Sequence, residues 1–118
     1  MDTKEMIDAA AKSMFKTVEV DIGGKKARLR ELSKTQMDEL DKINFEQKPD
    51  GSGPVEDENG KLTIIDVSKY YDNWIAATIE PRFTADEVKD WPFSLKKDLL
   101  EKAKKVNGIE PAETTAKN

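Results

Sequence analysis

The sequence predicts a small domain that is mainly α (α+β), with an N-terminal β-hairpin and a long mobile acidic loop. Three observations carry that expectation. Apolar residues recur at helical spacing over most of the chain, alternate strictly only between residues 17 and 30, and nearly vanish between Phe45 and Lys61. The 118 residues suit one domain, taken as 1–108, with a disordered C-terminal tail at 109–118. Leu, Ile, Val and Phe together number only 25, so the core must be thin.

The elements follow in order. Asp2 and Glu5 stand at N-cap and N3 spacing before Met6/Ile7, Ala10/Ala11 and Met14, which predicts an amphipathic helix over 2–15. Val18, Val20 and Ile22 then alternate with Glu19 and Asp21. Gly23-Gly24 supplies the positive φ of a two-residue turn, and Ala27 and Leu29 alternate with Lys26, Arg28 and Arg30 on the return. That loop length opposes Asp21 to Lys26 and Glu19 to Arg28 on one face, with Val20–Ala27 and Val18–Leu29 on the other. A lone hairpin is marginal in water, so its apolar face must rest on helices.

Ser33 and Gln36 form a capping box, with Leu32 and Met37 as a hydrophobic staple, for a helix through Leu40 and Ile43. The segment at about 45–61 holds Pro49, Gly51, Gly53, Pro54 and Gly60 and a cluster of acids. It reads as a flexible loop. Leu62–Ile65 is a short apolar run, either a strand or a lead-in. Asp66 is the expected N-cap of a helix carrying Val67, Tyr70/Tyr71, Trp74/Ile75 and Thr78, which Pro81 ends. Thr84 and Glu87 make a second capping box, and Pro92 interrupts. Ser94 then caps a last helix with Leu95, Leu99, Ala103 and Val106 on one face, stopped by Asn107-Gly108.

Composition narrows the chemistry. The chain has neither Cys nor His, which removes disulfides, thiolate nucleophiles, zinc–thiolate sites and imidazole bases together. Gly51-Ser52-Gly53 lacks phosphate-loop spacing, and Asp50 to Gly60 lacks the ligand alternation of a calcium loop. The expectation is a protein without catalytic residues, metal or cofactor. No stretch has the length and apolarity of a membrane span, and MDTKEMIDAAAKSMF does not read as a signal peptide. Net charge is −4, all of it contributed by residues 49–68.

Two binding classes remain. Lys25, Lys26, Arg28 and Arg30 on the hairpin and Lys96, Lys97, Lys102, Lys104 and Lys105 on the last helix would suit a small nucleic-acid-associated regulator. Interleaved Glu19, Asp21, Asp98 and Glu101 argue instead for a solvated mixed-charge face. Six of the eight aromatics lie between residues 70 and 93. They are either the core of a chain poor in aliphatics or part of a partner groove, since Trp and Tyr dominate interface hot spots.

The order of motifs over residues 66–108 resembles the tail assembly chaperones of long-tailed bacteriophages. The helix DVSKYYDNWIAATIE leads through AATIEPRFTADEV to a Lys-, Glu- and Leu-rich helix closing on LLEKAKKVNGIE. The front half, VEVDIGGKKARLRELS followed by a Ser-capped helix, resembles the family as well. The long 45–61 loop and the Tyr70-Tyr71 pair depart from its commonest pattern.

The resemblance implies a non-enzymatic assembly factor of the host cytoplasm, not expected in the finished virion. It would bind the tape measure protein, a long helical chain, while tail tube subunits assemble around it. It also implies a longer form made by programmed frameshifting, whose extra portion recruits the tail tube protein. Ala116-Lys117-Asn118 can be encoded GCA AAA AAC, which contains a slippery heptamer. On this reading the expected contact surface is Tyr70, Tyr71, Trp74, Ile75, Ile79 and Phe83, with the last helix second. The N-terminal helix adds a route to self-association.

Overall fold

The computed structural model describes residues 2–109. The expected loose tail lies, but for Ile109, outside the described residues, as does the Ala116–Asn118 run. Helix α1 (Thr3–Lys12) is capped by Asp2, whose side chain accepts from the Glu5 N–H, and none of its residues is buried.

Strands β1 (Thr17–Ile22) and β2 (Lys25–Arg30) pair in the expected register, with Val18 opposite Leu29 and Asp21 opposite Lys26. Gly23 and Gly24 make the turn at φ +60° and +85°. A side chain there would be strained, and Asp21 Oδ1 secures the turn by accepting from the Gly24 N–H at 2.8 Å. The sheet gains a third strand that the sequence did not announce. Helix α3 (Val67–Thr78) ends at Ile79, and β3 (Ile79–Glu80) pairs with β2 through Leu29 and Arg28.

Helix α2 (Lys34–Asn44) opens on the full Ser33–Gln36 capping box. Helix α4 (Ala85–Val88) opens on the Thr84–Glu87 box. Helix α5 (Phe93–Val106) corrects one expectation, because Pro92 and not Ser94 occupies its N-cap and no side chain caps it. Proline provides the start through its fixed φ of −54°. Among the described residues no helix is long and apolar enough to cross a membrane.

Helix α3 is the hub, packing on α2, α4, α5 and β2. Val20 and Leu29 from the hairpin's apolar face meet Trp74, Ile75 and Ile79, with Leu99, Leu100 and Ala103 completing the core. Asn107 ties the end of α5 to the hairpin's exit. Its Oδ1 accepts from the Leu32 N–H at 2.7 Å, and its Nδ2 donates to the carbonyls of Arg30 and Ala103.

The segment expected to be a mobile loop follows a defined path. Three short arms, around residues 46, 55 and 63, pair with one another through antiparallel bridges at Phe45–Ile64, Gln47–Pro54 and Glu56–Leu62. Their backbones close a ring of three hydrogen bonds. Glu46 donates to Thr63, Thr63 to Val55, and Val55 to Glu46, at 2.8, 3.2 and 2.7 Å. The acids are turn anchors: Asp50 accepts from the Ser52 N–H, and Asp57 from those of Asn59 and Lys61. Arms this short carry no periodicity, which is why the sequence reads as unstructured there.

The Lys61 and Asn59 amides hold the Asp57 carboxyl below the usual carboxylate range, and the Ser52 hydroxyl, then its amide, lowers that of Asp50. A folded pKa below the unfolded value of about 3.9 contributes stability above that pH, lost as pH falls through the folded value. The amide resonances of Asn59 and Lys61 should therefore titrate with a midpoint below the ordinary Asp value of about 3.9. A midpoint at or above the ordinary Asp value would overturn the anchoring role, and Asp57→Asn should abolish this titration.

Candidate functional site

The structure separates the six residues expected at a partner surface. Trp74, Ile75 and Ile79 are 2%, 0% and 3% exposed, and Tyr70 is buried with them. The Phe45 ring meets Tyr70 edge-on at 5.9 Å, and Lys104 Nζ lies 5.0 Å from the Tyr70 ring centroid. Only Tyr71 and Phe83 are half-buried, Tyr71 tilted against exposed Phe93 and Phe83 edge-on to Trp91. The expectation of exposure is corrected for the other four. A thin aliphatic inventory makes the central helix's aromatics the bulk of the core, since each fills far more volume than Val or Ile.

What the surface offers instead is a groove. Helix α2 and the sheet each pack on α3, and the space between them is a cavity of about 1140 Å³, open to solvent. Leu40 and Ile43 come from α2, Ala76 and Ala77 from α3, and Phe83 from the turn after β3. Glu39 lies on one flank and Arg28, Arg30 and Glu80 on the other, with Arg82 at the turn. Ile43 is 58% exposed, a large apolar side chain with no cover. Ile79 and Phe83, of the residues first expected, contribute to the lining.

Small side chains on α3 let another backbone approach closely, and a lining of apolar residues mixed with charges of both signs suits an amphipathic helix. Arg28 Nε donates to Glu80 Oε1 at 3.0 Å across the β2–β3 register, which orders that flank. Both side chains are largely exposed, so the pair contributes at most about 1 kcal/mol. A second, smaller cavity of about 300 Å³ lies elsewhere on α2, lined in part by Asp38 and Asp41. Burial, then the neighbouring Asp38 charge, pushes the Asp41 carboxyl up, while Lys34 pulls it down.

The cations proposed for nucleic acid are largely committed. Lys26 pairs with Asp21, Arg28 and Arg30 with Glu80, and Lys102 with Asp98. Lys96 and Lys104 are buried. Lys25, Lys97 and Lys105 make no ion pair among the described residues.

Several of these positions carry weak sequence signals. The face expected from Leu95, Leu99, Ala103 and Val106 is the one α5 turns inward, with Leu99 and Ala103 buried and the other two half-buried, and the buried stripe also takes in Leu100, Lys96 and Lys104. A helical stripe containing lysines is not recognised as interior unless its partners are known. Ala76 and Ala77 signal nothing by themselves. No family model matches this chain, and no curated protein or solved structure matches it either.

Proposed function

We propose that this protein is a tail assembly chaperone of a long-tailed phage, working in the host cytoplasm and binding an amphipathic helical stretch of the tape measure protein. The resemblance over residues 66–108 and in the hairpin supports that reading. The groove between α2 and the sheet is the observation that carries it. Its lining mixes apolar side chains from α2, α3 and the turn after β3 with charges of both signs, which would suit an amphipathic stretch of a long helix. The client contact is accordingly assigned to Ile43, Ala76, Ala77 and Phe83, in place of the buried Tyr70, Trp74 and Ile75. Recruitment of the tail tube protein through a frameshifted extension belongs to the same proposal.

Two experiments test it. Sequencing downstream of the gene should reveal an overlapping −1 frame and then a very long helix-coding frame. Co-expression with that product should keep it soluble and co-purify it. Ile43→Asp should weaken the complex about tenfold or more, since burying an unpaired carboxylate at a central contact costs at least the about 1.4 kcal/mol that tenfold represents. The far-UV circular dichroism should not change, because Ile43 is on the surface. A long client that remains insoluble beside the native chain would end the proposal. So would retention on duplex DNA that falls steeply with salt, which would favour the regulator.

A further inference from the structure

The hairpin leaves one edge of the sheet open. Strand order is β1-β2-β3, so β1 and β3 are the outer strands. β3 is two residues long and runs into Pro81, which has no N–H to offer, so that edge presents little to pair with. β1 is six residues long and contains neither proline nor lysine, two of the usual devices that blunt an edge.

The register decides which of its backbone groups face outward. A two-residue turn makes its flanking residues, Ile22 and Lys25, a hydrogen-bonded pair, and such pairs recur at every second position. Val20 with Ala27 and Val18 with Leu29 are the next ones. Lys16 with Glu31 continues the series, the Lys16 carbonyl accepting from the Glu31 N–H at 2.8 Å. Thr17, Glu19 and Asp21 consequently turn N–H and C=O away from β2. Among the described residues no backbone group pairs with them on that side, and all three are exposed. The edge is a row of donors and acceptors spaced for another strand.

The side chains define what that strand carries. Glu19 and Asp21 project from one face of β1, and half-buried Val18 and Ile22 from the other, where α5 packs. Asp21 is engaged by Lys26 and the Gly24 N–H. Arg28, opposite Glu19, is turned to Glu80, so Glu19 makes no ion pair among the described residues. A second copy of β1 is a poor occupant. Both long two-fold registers that match the faces oppose Glu19 to Glu19 or to Asp21, and like charges directly opposite are destabilising.

We propose that the outer edge of β1 takes up an extended segment of a partner protein as a further antiparallel strand, one that alternates Lys or Arg with aliphatic residues. Its main chain pairs with Thr17, Glu19 and Asp21, a basic side chain meets Glu19, and its aliphatic side chains extend the face of Val18 and Ile22. The proposal does not depend on the helix assigned to the groove.

Hydrogen exchange on the intact chain reads the edge directly. Alone, the amides of Thr17, Glu19 and Asp21 should exchange fast and those of Val18, Val20 and Ile22 slowly. A short peptide alternating lysine with valine should slow the first set, and a glutamate–valine counterpart should not. In the added strand the lysines stand opposite Glu19 and Asp21, so their amides face β1. N-methylation of the lysine amides should therefore abolish the protection, and N-methylation of the valine amides should leave it. Glu19→Lys should lose the lysine–valine peptide with an unchanged unfolding midpoint. A lysine–valine peptide that protects nothing overturns the proposal, and so does equal protection by the glutamate–valine peptide. If the two methylated peptides behave alike, no strand has been added and the proposal fails. Outward amides already protected in the free chain would also end it, because a second copy or the chain itself would then cover the edge.

Discussion

Replacing Trp74 with alanine is expected to destabilise the whole fold strongly rather than trim a partner contact. The indole is 2% exposed, on the one helix that packs against α2, α4, α5 and the sheet. Truncating a buried Trp costs about 3–5 kcal/mol, transfer and cavity contributions together. Native domains of this size hold only about 5–15 kcal/mol in all. The loss falls on a core of twelve buried apolar residues among those described, which leaves little to close the space. Urea denaturation followed by circular dichroism should show a midpoint far below that of the native chain. By contrast, Tyr71→Ala removes a half-buried ring and should shift the midpoint much less. A Trp74→Ala protein with a native midpoint would return this residue to the surface and reinstate it as a binding candidate.

The second large effect concerns a buried ion pair. Lys96 Nζ lies 2.9 Å from Asp72 Oδ1 and also donates to the Lys89 carbonyl at 2.9 Å. The two side chains are 9% and 7% exposed. The pair locks α5 to α3, and the bond to Lys89 adds the end of α4. Lys96→Met leaves the Asp72 carboxylate buried without a cation, which is expected to cost about 3–5 kcal/mol. The pair itself is a different quantity. Combining Lys96→Met with Asp72→Leu removes both charges, and an apolar replacement of similar volume is commonly neutral or stabilising by about 1–4 kcal/mol. The double variant should therefore be clearly more stable than the single one. If the two losses simply add, the residues do not act as a pair and the contact between α3 and α5 has another source.

The two effects bear on function through the groove. Its α3 residues Ala76 and Ala77 are positioned by the same helix that Trp74 and Asp72 anchor, so variants meant to probe binding belong on the exposed lining, as at Ile43. Acidic Asp50 and Asp57 make a parallel case. Their charge reads as a reason for mobility in the sequence, and in the structure it is turned on the backbone N–H groups of the turns.

Interactions within a few residues of one another were legible from the chain alone. The Asp2, Ser33, Asp66 and Thr84 caps, the Gly23-Gly24 turn and the four side-chain pairs of the hairpin all depend on spacings of at most eleven residues. Backbone geometry dictates them whatever lies beyond. The facing of each helix was another matter. Tyr70 and Trp74 share a stripe that suits a core or a groove equally well, and only the packing of four neighbours around α3 makes it interior. β3 exists because β2 is there to receive Ile79 and Glu80, about fifty residues away in sequence. The same holds for Lys96, whose partner is on another helix, and for the groove, which is made of space between elements rather than of any motif. Short-range rules decide which elements form, and long-range packing decides which of their faces meet water.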